Sequence, residues 1–236
     1  MVDYRKFRLD RLNTPAFSHI WLLLYWPIFG IVFMFLERGL PYLLGLFGKE
    51  ISYYPIYCPL DDMIPFCEWF IIPYYFWFVF LIGMLIYSFF FDIPTFRKYM
   101  WFIIINYSIA ALIYFVFPNM QEFRPLSREE IGRDNLLIDV AFFLYGFDTN
   151  TNVFPSMHVS GSFAVLFSAW HSKHFSAWYF RIPFLIVTVL ISLATVFLRQ
   201  HSILDVIGSL AICFATYPLV FRGKWAKRMD VYCGTA

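Results

Sequence analysis

The sequence predicts an all-α fold: a polytopic membrane protein with six transmembrane helices in one bundle and interfacial segments in its outer loops. Three observations lead there. Of the 236 residues, 61% are hydrophobic, 23% aromatic and only 14% charged, whereas soluble domains run at about 25% charged. Mean hydropathy is +0.64, and the apolar residues gather into long uncharged stretches. Third, Lys and Arg fall on alternate connecting segments. This composition excludes a disordered chain and a disulfide-rich secreted scaffold, and a net charge of +2 gives no reason to expect a nucleic-acid partner.

The expected spans are residues 16–36, 69–91, 99–119, 155–171, 182–198 and 203–221, within a single membrane domain over 1–236. At about 1.5 Å per residue each reaches across most of a hydrocarbon core. The last apolar run, 206–221, is short and also reads as a buried core helix. Residues 1–11 are Arg-rich and lead into a long apolar stretch without a small-x-small cleavage site, which reads as an uncleaved first helix. With the N-terminus inside, the inner segments hold 12 of the 18 Lys and Arg residues. Counting Asp3, Asp10, Asp92 and Asp230, they sum to +8, and the outer segments to −6. Both termini are therefore expected in the cytoplasm, with the protein in the cell membrane. Residues 39–60 and 135–147 are expected in the headgroup region. Cys58 and Cys67 share the first outer loop, where a disulfide and two free thiols are both open readings. Cys213 falls in the last helix and Cys233 in the cytoplasmic tail.

Polar residues next to the apolar spans form three groups, all on the expected outer side. Arg124-Pro125 lies in the third loop with Arg128 behind it, Pro155-Ser156-Met157-His158 opens the fourth span, and Arg199-Gln200-His201 with Asp205 opens the sixth. Ionisable groups at membrane depth are costly, so their clustering at one face is itself a site hypothesis. His201 and Asp205 are four apart, which puts the carboxylate on the imidazole's helix face, one turn on. An imidazole steered in this way is a nucleophile or a base, although the pair also occurs as a plain surface hydrogen bond. Ser156 and the free N–H groups of a helix start suit an oxyanion, and His158 is placed to protonate a leaving oxygen. Arg124 and Arg199 offer permanently charged forks for phosphate oxygens, or simply reach into headgroups. Arg128 is followed by Glu129 and Glu130, which can balance it on a solvated loop. Arg38, Lys49 and Arg133, with His19, His171 and His174, read as interfacial or loop residues.

Together the three groups resemble the type-2 phosphatidic acid phosphatase superfamily, lipid phosphatases related to vanadium haloperoxidases. Its signatures run Lys-x6-Arg-Pro, Pro-Ser-Gly-His and Ser-Arg-x5-His-x3-Asp on a six-helix core. Arg124-Pro125 matches the end of the first, Pro155, Ser156 and His158 the second with Met157 for Gly, and His201 and Asp205 the third. The resemblance covers residues 99–221. The family Lys would fall at Phe117 and the family Arg at Thr195. Arg199, about 40° further round a helix from Thr195, is placed to serve the same oxygen, with Gln121 as a weaker stand-in for the lysine.

The resemblance implies a lipid phosphate substrate in the bilayer, cleaved at the extracytoplasmic face. His201 would attack phosphorus, oriented by Asp205, with His158 as acid and then base. Arg124, Arg199, Ser156 and Arg128 would bind the phosphate, and no cofactor or metal would be required. A head-group phosphotransferase, similar to the sphingolipid head-group synthases, uses the same chemistry with an alcohol in place of water. A six-helix lipid carrier is the non-enzymatic alternative, disfavoured because the polar residues gather at one boundary and not at mid-span. A two-histidine, one-carboxylate metal site is disfavoured by the neighbouring arginines.

Overall fold

The structure, a computed structural model, describes residues 4–14 and 16–231. Asp3 and Cys233, assigned above to the inner side, lie outside them, as do the side chains of Lys6 and Asp230. The chain folds into long helices. α1 is Ser18–Leu46, α2 Glu68–Phe91 and α3 Ile93–Val116. α4 is Leu136–Phe147 and α5 Met157–His171. α6 is Trp178–Phe197, α7 Ile203–Arg222, and α8 Lys224–Val231. Two short strands, β1 (Tyr54–Pro55) and β2 (Asn119–Met120), pair in parallel.

Five of these helices, α1, α2, α3, α6 and α7, are long and apolar enough to cross a membrane, so the fold is that of an integral membrane protein. Among the described residues six spans are not found: the fourth expected span is the 15-residue α5, about 22 Å long. Its sequence explains the difference. α5 packs against α2, α3, α6 and α7 at once, and Val159 through Ala169 is buried except Phe163. Enclosed by protein, it carries small residues that let backbones approach and needs no lipid-facing apolar surface. Gly161 marks the closest approach, since a Cβ there would lie 2.7 Å from the Tyr107 hydroxyl and 3.0 Å from Trp77 Nε1. The outer helices, by contrast, expose Ile28, Ile31, Ile72, Val79, Ile186 and Val189.

α1 runs ten residues past the expected end at residue 36. Glu37 does not stop it because the carboxylate turns inward and is only 9% exposed. It accepts from Thr149 Oγ1, from Asn152 Nδ2 at 2.5 Å and from Thr151 Oγ1 at 3.1 Å. The helix ends before Gly48, whose φ of 65° lies in the left-handed region that favours glycine. α4 forms where the interfacial segment was expected. Asn135 caps it through Leu137 and Ile138 N–H, and Ala141 and Leu144 pack on Ile71, Tyr74, Ala194 and Leu198. Arg133, read as a plain loop residue, holds the nearly buried Glu68 by a fork, with Nε at 3.0 Å and Nη2 at 2.5 Å. His19, expected at an interface, is buried beside Tyr4, whose hydroxyl lies 2.8 Å from its Nε2.

The N-terminal segment sits at one end of the bundle, where Tyr4 donates to the Phe89 carbonyl at 2.6 Å and Asp92 accepts from Ser172 at 2.7 Å. At the opposite end three loops are tied together. The two strands place Tyr54 beside Asn119, and Met120 bridges to Thr151. Asn119 Oδ1 accepts from Val153 and Phe154 N–H, both at 2.8 Å. Cys58 and Cys67, both in this loop region, are free thiols, as is Cys213.

Candidate active site

The site residues meet at this second end, on segments that local sequence dictates. Ser202 caps α7 through Leu204 N–H, and Asp205 closes the box by accepting from Ser202 N–H at 3.0 Å. The same carboxyl oxygen lies 3.1 Å from His201 Nδ1. A carboxylate can only accept, so Nδ1 carries the proton and Nε2 is left with its lone pair. Beneath this turn, Asp61 accepts from Ser202 Oγ at 2.6 Å and from Ile203 N–H at 2.9 Å. The first long loop therefore braces the start of α7, a contact no local pattern announces. Asp61→Ala removes a cap, an effect worth about 0.5–2 kcal/mol. The thermal midpoint of the purified protein is expected to fall by about 1–8 °C, read by a melting scan in detergent.

α7 approaches the Pro155 segment closely enough that only glycine fits at residue 208: a Cβ there would lie 2.4 Å from the Phe154 ring. Ser209 donates to the Ser156 carbonyl at 2.9 Å, and Tyr114 to the Pro155 carbonyl at 2.6 Å. This seats His158 with its ring centroid 5.8 Å from that of His201. Tyr74 and Trp77 close on His158 with centroids at 4.5 and 4.4 Å. Tyr74 is fixed in turn by donating to Asp148 at 2.7 Å.

Arg124 enters from the third loop. Its Nη atoms donate to the Asp148 and Thr149 carbonyls, both at 2.7 Å, and to Gln200 Oε1, and its guanidinium lies 5.0 Å from the Tyr145 ring. Burial lowers its pKa, and the Asp148 carboxylate opposes that shift. Burial also raises the Tyr145 phenol. Arg199 adopts a left-handed φ of 51° after α6, which turns its side chain toward the Phe123 and Ile64 carbonyls, each at 3.3 Å. Thr195, where the family arginine is missing, is buried, and its carbonyl accepts from Gln200 and His201 N–H. Phe117, where the lysine is missing, is 40% exposed.

The structure thus brings together His158, His201, Asp205, Ser156 and Arg124, with Arg199 on the adjoining loops. Arg128 is not among them: it pairs with Asp139, and with Asp134 at 3.3 Å, on the solvent side of its loop. Several buried donors have no protein partner, among them Ser156 Oγ, Arg124 Nε, Arg199 Nε, Gln121 Nε2 and Gln200 Nε2. Unpaired buried donors are costly to maintain, and these five lie on the segments that carry the two histidines and Arg124. Glu37, Asp61, Tyr74 and Trp77 support or line the site without having been singled out by sequence reasoning, and Gln200 stood in the third polar group without a role of its own.

The fold and this polar end define an integral membrane protein with two histidines, a carboxylate and an arginine gathered at one end of a helix bundle. Residues 120–229 match the family described as the PAP2 superfamily, and the chain carries a PAP2 superfamily domain over that stretch. That match suggests a phosphatase-type activity. No curated protein matches the chain, and no solved structure does.

Proposed function

We propose that the protein is a membrane lipid phosphatase that hydrolyses a phosphate monoester or pyrophosphate of a lipid at the extracytoplasmic face through a phosphohistidine intermediate. The observation that carries the reading is the proximity of two histidines, 5.8 Å between ring centroids, one of them held through Nδ1 by Asp205. Two imidazoles this close can act on one phosphoryl group, one as nucleophile and the other as acid. His201 Nε2 attacks phosphorus and the bond to the lipid oxygen breaks. That oxygen leaves as an alcohol with a proton from His158. His158 then takes a proton from water, whose oxygen attacks phosphorus and releases inorganic phosphate from His201. Ser156 Oγ and the Nε atoms of Arg124 and Arg199 stabilise the equatorial oxygens, where charge develops.

In this reading α5 completes six membrane-crossing elements around one catalytic core over residues 99–221. Both termini are cytoplasmic and the protein resides in the cell membrane, an orientation supported by the Lys and Arg distribution. The steps need no metal ion. Purified protein is therefore expected to release phosphate from monophosphates or diphosphates of diacylglycerol, polyprenol or sphingoid base in EDTA, and to be inhibited by vanadate. Absence of release across that panel defeats the proposal. The aromatic enclosure of His158 by Tyr74 and Trp77 favours one second reading, head-group transfer to an alcohol, because it limits water at the leaving oxygen. A labelled donor lipid separates the two: free phosphate supports hydrolysis, and a new phospholipid supports transfer.

A further inference from the structure

On the phosphoryl-transfer reading above, we infer that Gln200 and Gln121 are phosphate-binding residues, each presenting its side-chain amide N–H₂ to an oxygen of the transferred phosphoryl group. They take over the work of the cations missing at Thr195 and Phe117. Gln200 is 1% exposed and Gln121 is fully buried. The orientation of each amide is fixed by what it faces. Arg124 Nη2 can only donate, so the atom of Gln200 that meets it is the oxygen. The Phe123 backbone N–H likewise can only donate, and it meets Gln121 Oε1 at 3.0 Å. Both nitrogens therefore point elsewhere, and both are buried without a protein partner.

The placement fits a ligand. Gln200 precedes His201 and contacts Arg124, whose Nε is also unpartnered. Gln121 lies on the loop that carries Arg124, and its N–H and carbonyl bind Asn150, next to the Thr149 carbonyl that holds the guanidinium. The left-handed turn at Arg199 sends that side chain to the Phe123 and Ile64 carbonyls and leaves the next residue, Gln200, facing inward. Position 200 thus supplies the new donor beside the nucleophile, while both Nη atoms of Arg199 are drawn to backbone carbonyls and its Nε has no protein partner.

Gln200→Glu and Gln121→Glu test this. Each keeps the oxygen that accepts from Arg124 or Phe123 and replaces the N–H₂ donor by an acceptor. The inhibition constant for vanadate and the KM for the lipid phosphate are expected to rise about 10- to 100-fold in each. The loss relative to wild type should shrink at low pH, where a protonated carboxyl again carries a donor. A folded variant with wild-type vanadate inhibition overturns the inference. Should Gln200→Glu fail to fold, Gln121→Glu decides, because its oxygen accepts only a backbone N–H. Wild-type protein and His201→Ala are run alongside. An inactive, vanadate-insensitive wild type removes the functional reading and this inference with it. An active wild type silenced by His201→Ala, with both glutamate variants unaltered, removes this inference alone.

Discussion

Purified His201→Ala protein is expected to release lipid phosphate about 10⁴-fold or more slowly than wild type, with unchanged folding by thermal scan. In the proposed mechanism the imidazole supplies the electron pair for the new bond to phosphorus, while Asp205 Oδ2 is engaged with Nδ1 and with Ser202 N–H. Rapid quench of wild type with a ³²P-labelled lipid should trap acid-labile, base-stable label on the protein, and His201→Ala should trap none. Asp205→Asn would let an amide face Nδ1 and favour the tautomer with its proton on Nε2. Its expected loss approaches that of removing the nucleophile, although the ring stays in place. Full activity in His201→Ala would defeat the covalent mechanism.

The second large effect depends on the leaving group. His158→Ala is expected to slow release from a lipid alcohol by about 10²–10⁴-fold, as loss of a general acid does. It should slow release from an aryl phosphate, whose phenolate departs without a proton, by under about tenfold. A ring that merely filled space between Tyr74 and Trp77 would affect both substrates alike. Kinetics on p-nitrophenyl phosphate and on a lipid monophosphate therefore separate proton transfer from packing, and equal losses on the two substrates would end the general-acid assignment.

What could be read from the sequence depended on how local its cause was. The His201–Asp205 pairing follows from helical spacing and the Ser202 cap, and the structure holds both at bonding distance. Long helices α1, α2, α3, α6 and α7 follow from long apolar runs with few charges. The fourth expected span is not among the long apolar helices because α5 is wrapped by four helices, and an enclosed helix needs neither the length nor the lipid-facing surface of an outer one. Glu37 beside Arg38 and Asp61 beside Asp62 look like charges on wet loops. Their partners, Thr149 to Asn152 and Ser202 to Ile203, lie more than a hundred residues away, and no periodicity announces such a meeting. For Arg199 a long cation near the motif was the natural substitute for Thr195, but one left-handed backbone angle redirects it to two carbonyls.

The Asp61 and Glu37 contacts also bear on where the working object begins. The stretch bearing the recognisable letters, 120–229, starts only after α1, the first long loop, α2 and α3 have gone by. Yet a carboxylate from α1 secures the strand of chain on which Arg124 rests, another from that loop steadies the turn after His201, and two rings from α2 enclose His158. The hallmark half is thus a face whose mounting is built by the half that bears no hallmark, and neither is a machine without the other.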